Sequence, residues 1–120
     1  MSLHAHIVVA EDETLVAMAI AGTLEDQGYR VTVTLDGQQA FDAESADPAD
    51  LLLTDLRMPR VDGNELIRRI RKHRPELPIL VMSGFSNEMP VEEKGRLVVL
   101  QKPFMMADLL AAVGALLGSD

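Results

Sequence analysis

Four apolar runs of the chain are each followed by polar side chains that could take part in chemistry. In chain order these are Glu11, Asp12 and Glu13, then Asp55, then Ser83, and finally Gln101 with Lys102. Crowded carboxylates repel and raise one another's pKa unless a cation neutralises them, and hard oxygen ligands suit Mg²⁺. A metal-held carboxylate that faces a hydroxyl and an ammonium group is well arranged for phosphoryl transfer.

The apolar runs have the length and composition of buried strands. They are residues 6–10, 31–35, 51–54, 79–82 and 97–100. Four of the five are continuously apolar, which is typical of parallel strands covered on both faces. The run 31–35 alternates valine or leucine with threonine, so we place it at an edge of the sheet.

Helical patterns lie between the runs and set the fold class. They cover residues 14–27, 37–46, 64–73 and 105–117. Alternating strands and helices predict right-handed parallel βαβ units. The class is therefore α/β, a three-layer α/β/α sandwich around a doubly wound, five-stranded parallel sheet. In such a sheet ligands bind at the carboxyl ends of the strands, where the polar residues would meet.

The connection before the fifth strand departs from this alternation. Only 11 residues separate Phe85 from Leu97, and they include Pro90 and Gly95. Proline can begin a helix, but the glycine would soon end it. We expect about one helical turn or an irregular loop here.

Each polar residue alone has an ordinary explanation. Acids at 11–13 suit the beginning of a helix, where caps and the helix dipole favour them. Asp55 and Ser83 alone are typical of turns, and Lys102 alone is typical of a solvated surface. Their joint occurrence at equivalent strand ends is what predicts a site.

Composition bounds the remaining possibilities. We take residues 1–120 as one domain and leave residues 1–3, which have the character of a cloning remnant, out of the functional argument. The chain has no cysteine, which excludes disulfides and thiolate metal sites. No apolar stretch is long enough to cross a bilayer, and no signal peptide opens the chain. We expect a cytoplasmic protein without membrane contact.

The charge balance argues against nucleic acid as a direct partner. Lys and Arg number 11 against 19 Asp and Glu, a formal net charge of −8, whereas phosphate-backbone binding needs clustered cations. One basic cluster exists: Arg68, Arg69, Arg71, Lys72 and Arg74. We prefer a solvated helix end, where cations complement the dipole, over a docking patch for a partner.

Four stretches of the sequence resemble the receiver domains of bacterial two-component response regulators. They are VVAEDE (8–13), LLLTDLRMPRVDG (51–63), ILVMSG (79–84) and QKPF (101–104). The second is highly specific, because an apolar strand that ends in Asp and is followed by M-P-x-x-D-G is rare elsewhere. The resemblance covers Ile7 to about Leu117. It implies a flavodoxin-like sheet of order 2-1-3-4-5, in agreement with the edge position of run 31–35.

The resemblance also implies where a phosphoryl group and Mg²⁺ would be held. Asp55 would be the phospho-acceptor and would form an acyl phosphate. Asp12 would be the principal metal ligand, with Glu11 assisting, and Asp55 and the backbone carbonyl of Arg57 would complete the protein's share. The phosphoryl donor would be a histidine kinase or a histidine phosphotransfer protein, in a phosphorelay that switches the binding of a downstream partner.

The remaining implied roles concern the switch. Ser83 and Lys102 would bind phosphoryl oxygens, and the Lys102–Pro103 peptide bond would be cis. Receivers usually carry Tyr or Phe at the position that Val99 occupies here, and they have a full fourth helix where segment 86–96 is short. In these two respects the chain resembles the subclass of receivers that are attached to hybrid kinases or occur as single domains. The resemblance suggests that signalling to the downstream partner depends on the short segment.

Two other functions remain open from the sequence. The chain could be a Mg²⁺-dependent phosphohydrolase with an Asp nucleophile. Such hydrolases commonly carry a second acid two residues after the nucleophile, where this chain has Arg57. It could also be a degenerate receiver that binds partners without phosphorylation, although it keeps the complete set of acidic, hydroxyl and lysine residues.

Overall fold

The computed structural model describes residues 4–84 and 89–118, so the expected remnant at residues 1–3 lies outside the described part. The strands are β1 (His6–Ala10), β2 (Arg30–Thr34), β3 (Leu51–Asp55), β4 (Ile79–Ser83) and β5 (Leu97–Gln101). The helices of the described ranges are α1 (Thr14–Asp26), α2 (Gly37–Ala46), α3 (Gly63–His73) and α4 (Met106–Leu117). All strand pairs are parallel and the order is β2-β1-β3-β4-β5. The predicted fold class and strand order are confirmed.

Two apolar layers cover the sheet, one on each face. Successive side chains of a strand point to opposite faces, so Ile7 and Val9 of β1 pack with α1 and α4, while Val8 packs with α2 and α3. The largest fully buried side chains of β1, β3 and β4 are apolar. Burial on both faces is the reason why these strands read as continuous apolar runs. No helix in the described ranges has the length and apolar character of a membrane span.

Strand β2 lies at the sheet edge, as its alternating sequence predicts. Its threonines do not simply face water, however. Thr34 is buried and its hydroxyl donates to the backbone carbonyl of Val9 at 2.7 Å, whereas the side chain of Val33 is exposed. A hydrogen-bonded hydroxyl can be buried at little cost, so the alternation indicated the edge but not which side faces solvent.

The connection from β4 to β5 contains no helix within residues 89–96, which we call the strap. Its C-terminal part folds back on β5, because Glu93 and Leu97 exchange backbone hydrogen bonds of 2.9 and 2.8 Å. The carboxylate of Glu92 accepts from the backbone N–H of Val99 at 2.9 Å. The strap thus occupies part of the outer edge of β5. This agrees with the expected irregular segment, of which residues 85–88 lie outside the description.

Arg71 braces the strap against the body of the domain. Its guanidinium donates to the backbone carbonyls of Arg74 and Leu77, to the carboxylate of Glu93 and to the carbonyl of Arg96. The prediction of a solvated helix end is therefore confirmed for Arg68, whose side chain is 64% exposed. It is wrong for Arg71, whose side chain is 17% exposed. The pattern of charges along the helix could not distinguish Arg68 from Arg71. Arg71 is covered because it contacts the strap at Glu93, which is 22 residues further along the chain.

The turn after β3 is closed by a tight backbone contact. The N–H of Gly63 donates to the carbonyl of Leu56 at 2.9 Å. A Cβ atom at Gly63 would lie 2.2 Å from the carbonyl oxygen of Asp55. No side chain fits there unless the backbone moves, so this glycine lets α3 begin directly against the end of β3.

We expect Gly63→Ala to lower the free energy of unfolding by about 1–3 kcal/mol, as for other overpacked sites. Gly22→Ala is the matched control, because its Cβ would meet nothing within 4 Å inside α1. That change should raise stability by about 0.5–1 kcal/mol, since alanine is the better helix former. Urea unfolding followed by circular dichroism measures both, and equal effects of the two substitutions would contradict the proposed close approach.

Candidate functional site

The carboxyl ends of the strands form one open cleft of about 570 Å³. It is lined by Asp12, Glu13, Asp55, Leu56, Arg57, Ser83, Gly84 and Lys102. Glu11 is fully buried beside these residues. The residues predicted from the sequence to form a site therefore lie together, because parallel strands place their carboxyl ends at the same edge.

Three carboxyl groups form the centre of the cleft. Glu11, Asp12 and Asp55 each offer an oxygen, and these oxygens lie within 4.8 Å of one another. Their surroundings differ: Asp12 is exposed, whereas Asp55 is 8% exposed and Glu11 is inaccessible. Such a set can hold a cation, and Asp12 is the most exposed of the three carboxyl groups.

Glu11 is held by one oxygen and leaves the other without a hydrogen bond. Its Oε2 accepts from the backbone N–H of Glu13 at 3.0 Å, while its buried Oε1 has no hydrogen-bond partner among the described residues. The ammonium group of Lys102 lies 3.5 Å from Oε1. Burial raises the pKa of Glu11 to about 7, the Glu13 N–H opposes this change, and the negative charge of Asp55 adds to it.

Lys102 joins two of the carboxyl groups. Its Nζ donates to Oδ2 of Asp55 at 2.7 Å, and its own backbone N–H donates to the carbonyl of Ser83 at 2.7 Å. Burial lowers the pKa of this lysine, but the hydrogen bond and the charges of Asp55 and Glu11 outweigh burial and raise it overall. The group therefore stays a cation. The peptide bond between Lys102 and Pro103 is cis.

The two oxygens of Asp55 have different partners. Oδ1 accepts from the backbone N–H of Arg57 at 3.2 Å, and Oδ2 accepts from Lys102. The hydroxyl of the neighbouring Thr54 donates to the backbone carbonyl of Asp55 at 2.8 Å. The carboxylate is thus oriented from two sides at the mouth of the cleft.

The donor set fits a small divalent cation. Mg²⁺ prefers carboxylate and carbonyl oxygens and keeps some of its waters, and the open cleft leaves room for them. A buried carboxylate oxygen without a hydrogen bond is costly, and a metal ion, directly or through a bound water, would lower that cost for Oε1 of Glu11. A metal site at Glu11, Asp12 and Asp55 is therefore compatible with the chemistry of this structure.

The other predicted residues lie on β4 and β5. Ser83 is 2% exposed at the end of β4 and lines the cleft beside Gly84. Val99 packs in the apolar layer of α2 and α3, and it is only partly buried. Histidine is absent from the residues that line the cleft.

Two supporting residues escaped the sequence analysis. Asp36 and Arg60 form an ion pair of 2.7 Å between the beginning of α2 and the loop after β3. The Asp36-Gly37 pair carries a recognisable helix-cap signal, and the Asp36 side chain does cap α2. The residue type of Arg60 gives no indication of its role.

Comparisons with known proteins agree with this geometry. A family model described as the response regulator receiver domain matches residues 7–114. The DNA-binding transcriptional regulator NtrC of Rhizobium meliloti is 34% identical over 113 residues, which are 92% of this chain and 23% of that protein. The response regulator MprA of Mycobacterium avium is 36% identical over 114 residues, which are 92% of this chain and 50% of that protein.

A solved structure gives the same result. The crystal structure of a response regulator receiver protein from Sinorhizobium medicae has a TM-score of 0.83 at 31% identity, over 96% of this chain and 95% of that chain. The chain spans from about a quarter to about half of the length of the curated relatives described above. The match to the family model over most of its length shows that this chain belongs to the response regulator receiver domains.

Proposed function

We propose that this receiver domain takes a phosphoryl group onto Asp55 with the help of Mg²⁺. The observation that carries the proposal is the position of Asp55, which contacts Lys102 at 2.7 Å and shares the cleft with two further carboxyl groups. One carboxylate is thereby presented to the cleft with a cation at one oxygen and a backbone N–H at the other. This arrangement suits a nucleophile whose product carries several negative charges.

In the proposed reaction an oxygen of the Asp55 carboxylate attacks the phosphorus atom of a phosphorylated histidine. The bond between phosphorus and the donor's nitrogen breaks, and an acyl phosphate forms. Lys102 would exchange its contact with Asp55 for a phosphoryl oxygen, and the Ser83 hydroxyl would donate to another. Mg²⁺, held by Asp12, Asp55, Glu11 through water and the backbone carbonyl of Arg57, would neutralise charge on the transferring group.

The phosphoryl donor would be another protein, a histidine kinase or a histidine phosphotransfer protein. The three histidines of the chain are His4, His6 and His73. His6 begins β1 and His73 ends α3, at the opposite end of the sheet from the cleft. The downstream partner and any output domain are part of the same proposal, since relatives such as MprA extend well beyond the matched region.

The two alternatives from the sequence have less support. For a phosphohydrolase, the position two residues after the nucleophile holds Arg57, whose backbone N–H contacts Asp55, instead of an acid that could protonate a leaving group. For a degenerate receiver, loss of the acidic cluster or of the lysine would be expected, and both are in place. A signalling switch that catalyses only its own phosphorylation and dephosphorylation fits the residues better.

Incubation with acetyl phosphate and Mg²⁺ should add one phosphoryl group to the wild-type protein and none to Asp55→Asn. The amide has nearly the shape of the carboxylate but is not a nucleophile. Intact-mass spectrometry measures the product, and peptide mapping places it. Phosphorylation of the Asp55→Asn protein to the wild-type level would refute the assignment.

Mg²⁺ should stabilise the wild-type fold, because it binds the ordered cluster and not the unfolded chain. When the Mg²⁺ concentration is a hundred times the dissociation constant, the free energy of unfolding should rise by about 2.7 kcal/mol. Thermal melts with and without Mg²⁺ measure this. Asp12→Ala is the control, because Asp12 is exposed and its loss leaves the core intact. An equal rise in melting temperature in Asp12→Ala would contradict a metal site at these residues.

The stabilisation of the fold by Mg²⁺ should depend on pH. With a pKa of about 7, against 4.5 ordinarily, Glu11 is protonated in the metal-free fold at pH values where the unfolded chain has lost that proton. The contribution of this group to metal-free stability therefore decreases as pH rises from 4.5 through about 7. Because Mg²⁺ requires the ionised carboxylate, its stabilising effect should be larger above pH 7, and Glu11→Gln should reduce this dependence.

Phosphorylation should order or reposition residues 85–96, which include the strap. A phosphoryl group shifts a conformational equilibrium only through contacts that differ between the two states, and Ser83 and Lys102 offer such contacts. Val99 has a stiff β-branched side chain and no ring to reorient. Beryllofluoride with Mg²⁺ should change amide exchange mainly at residues 83–96 and 102–106. Ser83→Ala should suppress the change, while Val99→Ala should not; the reverse pattern would exclude this mechanism.

A further inference from the structure

The loop from Leu56 to Asp62, which we call the β3–α3 loop, contains an unusual backbone conformation. Arg60 has a φ of 66°, in the left-handed region, and it is the one non-glycine residue with positive φ in the described ranges. A side chain with a Cβ is disfavoured there. Such strain persists only where the surrounding contacts impose it, so the contacts of Arg60 show what the loop conformation depends on.

The contacts of Arg60 converge on one buried carboxylate. Its Nε and a terminal nitrogen donate to Oδ2 of Asp36 at 3.2 and 2.7 Å. The side chain of Asp36 is only 8% exposed, and its Oδ1 accepts from the backbone N–H of Gln39 at 2.8 Å, which caps α2. Each oxygen of Asp36 therefore has its own partner, and the ion pair links the loop to a fixed helix end.

A backbone contact beside this ion pair makes the link rigid. The N–H of Gly37 donates to the carbonyl of Val61 at 3.0 Å, and a Cβ atom at Gly37 would lie 2.2 Å from that oxygen. Two consecutive loop residues, Arg60 and Val61, thus contact two consecutive residues at the beginning of α2. We call these paired contacts the loop clamp.

The loop clamp lies close to the phosphorylation site in the chain. Arg57 is three residues before Arg60 in the same loop, and its backbone N–H orients Asp55. The proposed function also assigns its backbone carbonyl to Mg²⁺. The Leu56–Gly63 hydrogen bond ties the two ends of the loop together, and the clamp fixes the residues between those ends that follow Arg57.

We infer that Arg60 is a positioning residue: its ion pair with Asp36 holds the β3–α3 loop in the conformation in which Arg57 orients Asp55 and can reach the metal. This inference rests on the proposed function of the cleft. A loop that is ordered before the cation arrives loses less conformational entropy when the cation binds. The ion pair therefore increases the affinity for Mg²⁺ without contacting the ion.

The charge of Arg60 allows a decisive test. Arg60→Gly removes a positive charge near an anionic cleft, so electrostatics alone would make Mg²⁺ bind more tightly. Glycine also accepts a positive φ without strain, so the fold should not lose stability on that account. The inference predicts the opposite effect on the metal: the dissociation constant of Mg²⁺ should rise by about tenfold, as for residues that support metal ligands.

The measurement is a calorimetric titration of the metal-free proteins with Mg²⁺, together with amide exchange of residues 57–62. Arg60→Gly should weaken binding and speed exchange in the loop, with little change in melting temperature. Arg60→Lys should give an intermediate loss, because one ammonium group replaces two nitrogens. Arg30→Ala is the matched control, since it removes an ion pair of 2.7 Å at the other end of the domain. It should leave both quantities as in the wild type.

Asp36→Asn completes the test. Its amide oxygen can still cap α2, but it no longer carries the charge that attracts Arg60. The double variant should bind Mg²⁺ no more weakly than the weaker single variant, because the same interaction is lost in each case. The inference would be overturned if the effects of the two substitutions on Mg²⁺ binding were fully additive. It would also be overturned if Arg60→Gly bound Mg²⁺ as tightly as the wild type or more tightly. If the wild-type protein binds no Mg²⁺, the proposed function is wrong. The role of the loop clamp is then tested by amide exchange alone, and unchanged exchange of residues 57–62 in Arg60→Gly would contradict it.

Discussion

The placement of three carboxyl groups within 4.8 Å of one another is the constraint on which the rest of the structure depends. Their mutual repulsion is opposed within the described chain by Lys102, which contacts Asp55 directly and Glu11 at longer range. Burial is the main reason why the pKa of Glu11 is raised, and the negative charge of Asp55 adds to it. A cleft in which three carboxyl groups meet one ammonium group could hold a metal ion.

The fold supports this cleft unequally on its two sides. On the side of α2 and α3, backbones meet at Gly37 and Gly63 so closely that a methyl group would collide. Such contacts leave little freedom to the residues around Asp55. Nucleophilic reactions gain from this kind of fixed geometry, because less order must be created when the reactants meet.

On the side of β4 and β5, the strap replaces a packed helix. It is attached through polar contacts, the ion pair of Arg71 with Glu93 and the hydrogen bond from Val99 to Glu92. Polar contacts at a partly exposed edge are worth less than apolar burial. The surroundings of Asp55 are thus closely packed while the neighbouring strap is held by polar contacts, an arrangement that would suit the proposed binding switch.

The sequence by itself determined the fold class, the strand order through its resemblance to receivers, and the residues that meet in the cleft. Apolar runs and helical spacing depend on residues two to four positions apart, so they can be read along the chain, and the strand bounds differ from the structure by at most one residue at each end. Only the tertiary structure showed that the adjacent acids Glu11 and Asp12 differ in burial, Glu11 being buried and Asp12 exposed. It also buried Arg71 under the strap and joined Arg60 to Asp36. These features depend on partners that lie far apart in the sequence, and local patterns of residue type do not encode such contacts.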